Sequence, residues 1–181
     1  MRRILSIAAR AFWAMLPAYV PNNAAVLVGG GRPIDGGRTW RSKRLLGDGK
    51  TWRGTLVGTA AGLALALLLN RLEAWIAATT DRSVPRFGRS ALTLPFGAMC
   101  GDMAASFYKR RSGRDRGAPV PGLDQLDFVL GALSLTAILS PTWFRRVFRL
   151  PVVLAVLVLT PLLHIGTNLL AYLFGLKSEP Y

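Results

Sequence analysis

The sequence predicts an all-α, polytopic integral membrane protein with about five transmembrane helices and two ordered loops. Three observations support this class. Of the 181 residues, 51% are hydrophobic and the mean hydropathy is +0.34, more than the polar surface of a soluble domain usually allows. The chain nevertheless carries 23 Lys and Arg residues against 9 Asp and Glu residues. The charges fall mostly between long apolar stretches, so residues 1–181 are expected to form a single membrane domain.

Five apolar stretches match the length needed to cross a hydrocarbon core of about 30 Å, or come close to it. They are expected at residues 4–28, 55–79, 92–108, 126–142 and 150–176. The first is interrupted by Pro17 and Pro21. The third is short and contains Asp102, whose carboxylate is expected to face a water-filled cavity rather than lipid.

The order of the spans decides which connections can meet. With five spans, the first and third connections, residues 29–54 and 109–124, share one side of the membrane. A small majority of the Lys and Arg residues lies on that side, which makes it cytoplasmic and the N-terminus external. The net charge of +14 indicates a polyanionic partner, such as nucleotide phosphates, anionic lipid head groups or nucleic acid.

The first loop ends in the sequence GDGKTWRG, residues 47–54, directly before the second span. Its glycines let backbone N–H groups approach an anion, and the helix that begins here directs its positive dipole end toward the loop. A Walker A motif would need Gly at position 44, which is Arg44, so a P-loop is not predicted. The alternative is a basic anchor that contacts only lipid head groups. The candidate phosphate-binding residues are Asp48, Lys50, Thr51 and Arg53.

The third connection brings together most of the carboxylates that stand at the membrane boundary. Asp124 and Asp127 are three residues apart, so one helical face can carry both, and Asp102 precedes them at the end of the third span. Carboxylates beside a triphosphate typically hold Mg²⁺, so these three are candidate metal ligands and catalytic residues. The alternative is ordinary surface ion pairs, which stabilise by only about 0–1 kcal/mol. Among the cations between them in sequence, Lys109 is a further catalytic candidate, and Arg110 and Arg111 are candidate phosphate-binding residues.

Three further polar residues stand near these segments. Asn22 and Asn23 follow Pro21 near the end of the first span, where an amide either hydrogen-bonds a ligand in a cavity or joins two helices. Asp35 lies in the first loop among several arginines, so we expect it in an ion pair rather than at a metal.

Together the two segments resemble the membrane-bound CTP:phosphatidate cytidylyltransferases, the CDP-diacylglycerol synthases. That family has a GKTW-type segment entering one helix and a later S-(F/Y)-K-R…K-D…P-G…L-D-x-x-D run. Here these read GKTWRG at residues 49–54 and SFYKRR…RD…PGLDQLD at residues 106–127. The whole chain is more similar to the archaeal branch, the CDP-archaeol synthases, through LPAY…N at 16–23 and GGG-x-P-I-D at 29–35. The bacterial His-Gly-Gly is absent, and Gln125 stands where the bacterial family has Arg.

The resemblance implies a nucleotidyltransferase that transfers CMP from CTP to a lipid phosphate with release of pyrophosphate. In the archaeal branch the acceptor is 2,3-bis-O-geranylgeranyl-glycerol phosphate, an unsaturated ether lipid, and Mg²⁺ is the cofactor. Asp102, Asp124 and Asp127 would hold the metal. For Asn22 and Asn23 a hydrogen bond to the cytosine edge and a contact between helices or at a helix end stay equally open. Such a lipid phosphate is largely ionised at neutral pH, so no catalytic His or Cys is required.

The same resemblance implies a multi-pass enzyme of the cell membrane. Its partners would be CTP, the ether-lipid phosphate and the bilayer, with the active-site loops in the cytoplasm where CTP is found. Nucleic acid is not predicted as a partner, and no oligomeric state is predicted. The loops at residues 29–54 and 109–124 would form the nucleotide site.

Two other functions explain part of the pattern. A CDP-alcohol phosphotransferase also uses aspartates at the membrane face, but it needs D-G-x-x-A-R and a D-x-x-x-D spacing, whereas this chain has D-x-x-D. A transporter or an anionic-lipid-binding protein would account for the helices and the basic loops. It would not account for the carboxylates together with the GKTW segment.

Overall fold

The computed structural model describes residues 2–80, 84–114, 120 and 122–175, and most of these residues are helical. The first loop adds a two-stranded antiparallel sheet, β1 (Thr39–Trp40) and β2 (Lys43–Arg44), in which Thr39 lies opposite Arg44. Within the described residues the helices are α1 (Arg2–Tyr19), α2 (Pro21–Val28), α3 (Trp52–Thr79), α4 (Ser90–Arg111), α5 (Leu123–Leu139), α6 (Pro141–Val147) and α7 (Leu150–Leu173).

Three helical segments of the described chain are long and apolar enough to cross a membrane. They are Arg3–Val28, Trp52–Thr79 and Leu150–Leu170. The first contains the break between α1 and α2, where Pro21 occupies the first turn of α2 because it cannot continue a helical hydrogen-bond ladder. α4 and α5 cover the expected third and fourth spans but are not among the three. α5 has only 17 residues, so the count of five spans stays a prediction.

The outer faces of the long helices are apolar. On α3, Leu67 and Leu68 are 53% and 60% exposed, and on α7, Val158 and Leu162 are 61% and 60% exposed. Contiguous apolar surface of this kind is unfavourable in water, whereas helices with all backbone groups paired internally can present it to lipid. The exposed faces therefore support the membrane-protein prediction.

α4 and α5 pack against each other through glycine. A Cβ atom added at Gly97 would lie 2.7 Å from the carbonyl oxygen of Gly131, and one added at Gly101 would lie against the carbonyl oxygen of Asp127. The two backbones are therefore in contact, as in small-residue helix pairs of membrane proteins. This glycine seam (Gly97, Gly101 and Gly131) sets the neighbouring carboxylates of Asp102 and Asp127 on facing helices.

α3 packs in the same way against the break in the first span. Cβ atoms added at Gly58 and Gly62 would lie 2.6 Å and 2.5 Å from the carbonyl oxygens of Pro21 and Pro17. The glycine face of α3 therefore contacts the backbone around the break directly. This contact brings the start of α3 next to the end of α2.

Polar side chains hold the connection between α3 and α4. The amide of Asn70 donates to the carbonyl oxygen of Phe87 and accepts from its N–H group, both at 2.7 Å. Trp13 Nε1 donates to Pro85 O at 3.0 Å, and Trp143 Nε1 donates to Arg86 O at 2.7 Å. Asn70 lies 18 residues after the first residue of α3, or about 27 Å along it, so these bonds fix the end of the bundle far from GKTW.

We expect Asn70→Leu to lower the stability of the protein because it leaves two buried backbone groups of Phe87 without partners. The cost is about 1–3 kcal/mol, enough to lower the Tm by several degrees. Thermal unfolding in detergent, followed by tryptophan fluorescence, measures it. Ser134→Leu, at an exposed position of α5, is the matched control and should leave the Tm unchanged. An unchanged Tm for Asn70→Leu would show that other contacts hold the connection.

Candidate active site

A polar cavity of about 260 Å³ lies where the first loop meets the end of α4 and the start of α5. Its wall combines residues from α2, from the segment before α3, and from α4 and α5. Cations and carboxylates of both predicted segments face the same space. The lining residues are Asn22, Leu46, Gly47, Asp48, Gly49, Lys50, Asp102, Ala105, Ser106, Lys109, Arg110, Asp124 and Asp127.

Lys50 joins the GKTW segment to α4. Its ammonium lies 2.5 Å from Asp102 Oδ2, and the two side chains are 23% and 20% exposed. The backbone around Lys50 is held independently, because Ile34 N–H donates to Lys50 O at 2.8 Å and Trp52 N–H donates to Arg32 O at 3.1 Å. The first loop therefore folds back along GKTW and fixes Lys50 at the cavity. The two chemically rich segments lie at the same end of the helix bundle.

Lys109 joins the end of α4 to the start of α5. Its ammonium forms an ion pair with Asp124 Oδ1, and Asp124 Oδ2 accepts the N–H of Val120 at 2.9 Å. Asp124 is thus fixed from both sides of the connection between the two helices. A second cation–carboxylate pair stands in the cavity wall beside the pair formed by Lys50 and Asp102.

Asp127 is the third carboxylate, and it makes no ion pair with the residues that the structure describes. Its Oδ1 accepts the N–H of Phe128 at 2.6 Å. The charges of Asp102 and Asp124 repel its carboxylate, whereas the charge of Lys50 attracts it. Carboxylates that share a small cavity are unfavourable unless cations balance them, so this cluster favours binding of a further cation.

The cavity has the oxygen donors that Mg²⁺ prefers. No three His, Cys, Asp or Glu side chains within residues 2–80, 84–114 and 122–175 are close enough to hold a metal ion by themselves. Mg²⁺ does not need such a cage, because it usually keeps several waters and binds one or two carboxylates together with substrate phosphates. The carboxylates on facing sides of the glycine seam, Asp102 and Asp127, fit that requirement, with Asp124 one helical turn before Asp127.

Asn22 and Asn23, which are adjacent in sequence, have different surroundings. Asn22 lines the cavity, and its Oδ1 is buried without a hydrogen-bond partner. Such an acceptor is costly unless a ligand pairs with it. Asn23 is exposed and outside the cavity wall, and its amide donates to Tyr19 O at 3.3 Å. Only the first of the two candidate base-reading residues is therefore brought to the site.

Two predicted phosphate-binding residues of the GKTW segment have backbone partners instead. Thr51 is the N-cap of α3, and its hydroxyl accepts the N–H of Gly54 at 3.1 Å. Arg53 is exposed and donates to the carbonyl oxygens of Val28 and Gly29, so it ties the end of α2 to the start of α3. Both residues shape the loop, and neither lines the cavity.

Arg111 also points away from the cavity. Its guanidinium donates to the carbonyl oxygens of Trp40, Lys43 and Arg44 at 2.7–3.2 Å. It also lies over the rings of Trp40 and Phe107, at 5.4 Å and 5.5 Å from their centroids. Arg111 therefore fastens the β1–β2 hairpin to α4, while Arg110 before it lines the cavity.

Asp48 and Asp35 share one arginine. Asp48 lines the cavity, but its carboxylate forms an ion pair with Arg44 at 2.6 Å. Asp35 forms its ion pair with the same guanidinium, also at 2.6 Å, which confirms the pairing expected from the sequence.

Sequence reasoning missed several lining residues. Ala105 and Ser106 lie one turn after Asp102 and one turn before Lys109, so the helical period alone could have placed them on the same face. Gly47 has a φ of +98°, a conformation that favours glycine, and lets the loop turn at the cavity wall. The glycine seam also had a signal, because Gly97 and Gly101 form G-x-x-x-G within an apolar helix.

Comparison with known proteins gives a consistent family. The family model described as "CarS-like: CDP-archaeol synthase" matches residues 4–181. The CDP-archaeol synthase of Halorubrum lacusprofundi is 61% identical over 177 residues, covering 97% of this chain and 98% of the relative. That of Methanosarcina acetivorans is 45% identical and covers 92% and 100%. A solved structure, described as an intramembrane enzyme for archaeal membrane lipids biosynthesis, superimposes with a TM-score of 0.70 at 38% identity, covering 87% and 92%.

Proposed function

The chain belongs to the CarS-like family of CDP-archaeol synthases, and from this premise we propose that it transfers CMP from CTP to 2,3-bis-O-geranylgeranyl-glycerol phosphate, releasing pyrophosphate. Membership makes the chain a nucleotidyltransferase that uses CTP, and its apolar helices together with its intramembrane relative make it a membrane protein. The identity of the lipid, the release of pyrophosphate and the dependence on Mg²⁺ are parts of the proposal.

One observation carries the proposal: a single cavity contains the lysine of GKTW and the three aspartates. Lys50 lies beside Asp102, and Lys109 lies beside Asp124, within one polar space. A cavity lined only by cations would suit any phosphate, and one lined only by carboxylates would suit a free metal ion. The combination suits a nucleoside triphosphate with its metal.

The cations of the cavity can exchange partners when a nucleotide enters. Lys50, Lys109 and Arg110 all line the space that phosphates would occupy. A phosphate oxygen can replace a carboxylate oxygen as the partner of an ammonium group, because both form charge-assisted hydrogen bonds. We propose that Lys50 binds the triphosphate, while Lys109 and Arg110 bind the lipid phosphate or the departing pyrophosphate.

The carboxylates are proposed to act through a bound cation. Because no three of the described carboxylates are close enough to form a cage, Asp102 and Asp127 would hold Mg²⁺ together with phosphate oxygens and water, and Asp124 would stand beside them. The bound ion would neutralise charge on the phosphates. The carboxylates' own contribution is position, since two of them project from helices whose backbones are in contact at Gly101. The oxygen donors are therefore fixed before any ligand arrives.

The chemical step needs little more than alignment. An oxygen of the lipid phosphate forms a bond to the α-phosphorus of CTP, and the bond to the β-phosphate oxygen breaks, so that pyrophosphate leaves with its electron pair. The attacking phosphate has a second pKa near 6 and is largely ionised at neutral pH, so no general base is required. The cavity cations reduce the repulsion between the two anions and hold them in line.

Asn22 is the proposed contact to the base. Its unpaired, buried Oδ1 can accept a hydrogen bond from an amino group, such as the one at cytosine C4. Asn22 lies in the first turn of α2 and lines the cavity. The base would then lie near α2 with the phosphates toward α4 and α5.

We propose that the protein lies in the cell membrane with this cavity on the cytoplasmic side and the N-terminus outside. CTP is a cytoplasmic metabolite, and both loops that contribute to the cavity lie at the same end of the bundle. The lipid phosphate would approach from within the bilayer, so its tails need not leave the hydrocarbon.

The direct test measures pyrophosphate release by the detergent-solubilised protein with each nucleoside triphosphate and Mg²⁺. We expect release with CTP and the geranylgeranyl ether-lipid phosphate, and little with ATP, GTP or UTP. Diacyl phosphatidate, as a second acceptor, measures the lipid specificity. Formation of CMP from a CDP-lipid and an alcohol, without use of CTP, would instead identify a phosphotransferase.

Lys50→Met tests the binding of the triphosphate. A charge-assisted hydrogen bond contributes about 1.5–3 kcal/mol, so we expect the KM for CTP to rise about tenfold or more. Lys43→Met is the matched control, because Lys43 is an exposed lysine of β2 outside the cavity wall. Equal KM values for the two variants would place the triphosphate elsewhere.

A further inference from the structure

Asp35 is a buried carboxylate in a loop whose surroundings are mostly exposed. The residue is 7% exposed, whereas Gly36, Gly37 and Arg38 after it are all exposed. Asp35 does not line the cavity. A charged side chain is buried to this extent only when hydrogen bonds and ion pairs satisfy it, so the partners of Asp35 show which part of the loop it holds in place.

Both carboxylate oxygens of Asp35 accept hydrogen bonds from other residues of the first loop. Oδ1 accepts the N–H of Gly37 at 3.1 Å and Arg44 Nη2 at 2.6 Å. Oδ2 accepts the N–H groups of Leu46 and Gly47 at 3.0 Å and 3.1 Å, together with Arg44 Nε at 3.2 Å. Leu46 and Gly47 begin the loop part of the cavity wall, so the carboxylate is attached directly to that wall.

Arg44 connects Asp35 to the rim of the cavity on one side and to α4 on the other. Its Nη1 donates to Asp48 Oδ1 at 2.6 Å, at the rim of the cavity, and its carbonyl oxygen accepts Arg111 Nη2 at 2.9 Å, from α4. The wall segment, residues 46–50, is therefore held at its start by Asp35 and in its middle by Arg44, and Arg111 fixes Arg44 itself to α4. It ends at Lys50, whose ammonium faces Asp102.

We propose that Asp35, acting with Arg44, is a positioning residue for the nucleotide: it holds residues 46–50 in the shape that presents Lys50 to the triphosphate, without contacting the substrate itself. This inference rests on the proposed function of the cavity. It assigns Asp35 to the binding of CTP rather than of lipid, because the segment that it holds belongs to the GKTW side of the cavity.

The electrostatics keep this arrangement in one state. The Arg44 guanidinium, with help from the N–H groups of Leu46, Gly47 and Gly37, holds the pKa of Asp35 well below its usual range, although burial acts in the opposite direction. A lowered folded-state pKa contributes stability at every pH above the ordinary carboxyl value near 3.9, and that stability is lost only as the pH falls through the folded-state value. The carboxylate is therefore charged throughout any practical assay.

The test compares steady-state constants of Asp35→Asn with those of the unaltered protein. The amide keeps the shape but cannot accept all of these bonds, so the segment shifts. We expect the KM for CTP to rise on the order of tenfold or more, since a shift of about 1 Å already has effects of that size or larger. The KM for the lipid phosphate and the turnover at saturating CTP should stay within about threefold of the unaltered values. Glu73→Gln, which removes a carboxylate charge from α3 outside the cavity wall, should change none of them.

Arg44→Gln gives a second, independent variant. If the two residues act as a unit, Arg44→Gln raises the KM for CTP, and the double variant is no worse than Asp35→Asn alone. If the two increases in the KM for CTP multiply in the double variant, the claim that Asp35 and Arg44 act as a unit is wrong.

A merely structural role has a different signature. It would lower the Tm and the amount of active protein while leaving both KM values unchanged, or would raise both together, and either result overturns the proposal. Failure of the proposed function is separate, because then the unaltered protein itself would show no CTP-dependent release of pyrophosphate.

Discussion

Asp127→Asn is expected to lower turnover on the order of 10³-fold while leaving the protein as stable as before, or more stable. Asp127 forms no ion pair with the described residues, so its neutralisation removes the attraction of the Lys50 charge without breaking a direct contact. It also removes the repulsion from Asp102 and Asp124. The turnover number with saturating CTP, lipid phosphate and Mg²⁺, measured beside the Tm, tests both halves of the expectation.

Asp124→Asn is the informative comparison. Asp124 is paired with Lys109, so its neutralisation should lower the Tm as well as turnover. A variant that loses activity and gains stability identifies a carboxylate that is kept for its ligand, whereas one that loses both also has a structural role. Full activity of Asp127→Asn would show that the metal, if it binds, does not need this residue.

Gly101→Ala is expected to lower both stability and turnover, although it adds a single methyl group. The new Cβ would fall against the carbonyl oxygen of Asp127 and within 3.0 Å of the Cα of Gly131, so backbone must move. Overpacking of this kind costs about 1–3 kcal/mol of unfolding free energy. Displacement of Asp102 from Asp127 by about 1 Å should lower turnover on the order of 10²-fold.

Gly166→Ala provides the control for this substitution. Gly166 lies within α7, and a Cβ added there would meet no atom within 4 Å. Alanine is favoured over glycine inside a helix by about 0.5–1 kcal/mol, so this variant should keep full activity and equal or higher stability. Full activity of Gly101→Ala would mean that α4 and α5 can move apart without harm, and that the contact at Gly101 does not position the carboxylates. Similar losses in both variants would mean that the loss is not specific to this contact.

Much of the site follows from the order of the apolar stretches. The alternation of spans and connections was enough to bring GKTW and the aspartate-rich segment to one face, and Lys50 does lie beside Asp102. The reason is general, because every second connection between successive antiparallel helices lies at the same end of the bundle. The five-span count stays a prediction, because α5 has only 17 residues and α4 contains Asp102 and a basic last turn.

The partner of each polar side chain was harder to predict. Thr51, Arg53 and Arg111 have the right chemistry for phosphate, but a hydroxyl or a guanidinium binds a backbone group equally well. Which one it meets depends on where the loop carries its carbonyl oxygens, and the sequence does not encode that locally. The β1–β2 hairpin was not predicted, because two-residue strands are too short to show an alternating pattern.

The contact of two helix backbones at Gly97, Gly101 and Gly131 has a consequence for energetics. Helices that touch along their main chains behave as one rigid block, and Asp102 and Asp127 belong to that block. Their dipoles and charges are oriented during folding, so little reorganisation energy remains to be supplied when two polyanions meet. Under the proposed function, adaptation to the bound or released nucleotide would therefore fall to the side chains of the first loop that face this block.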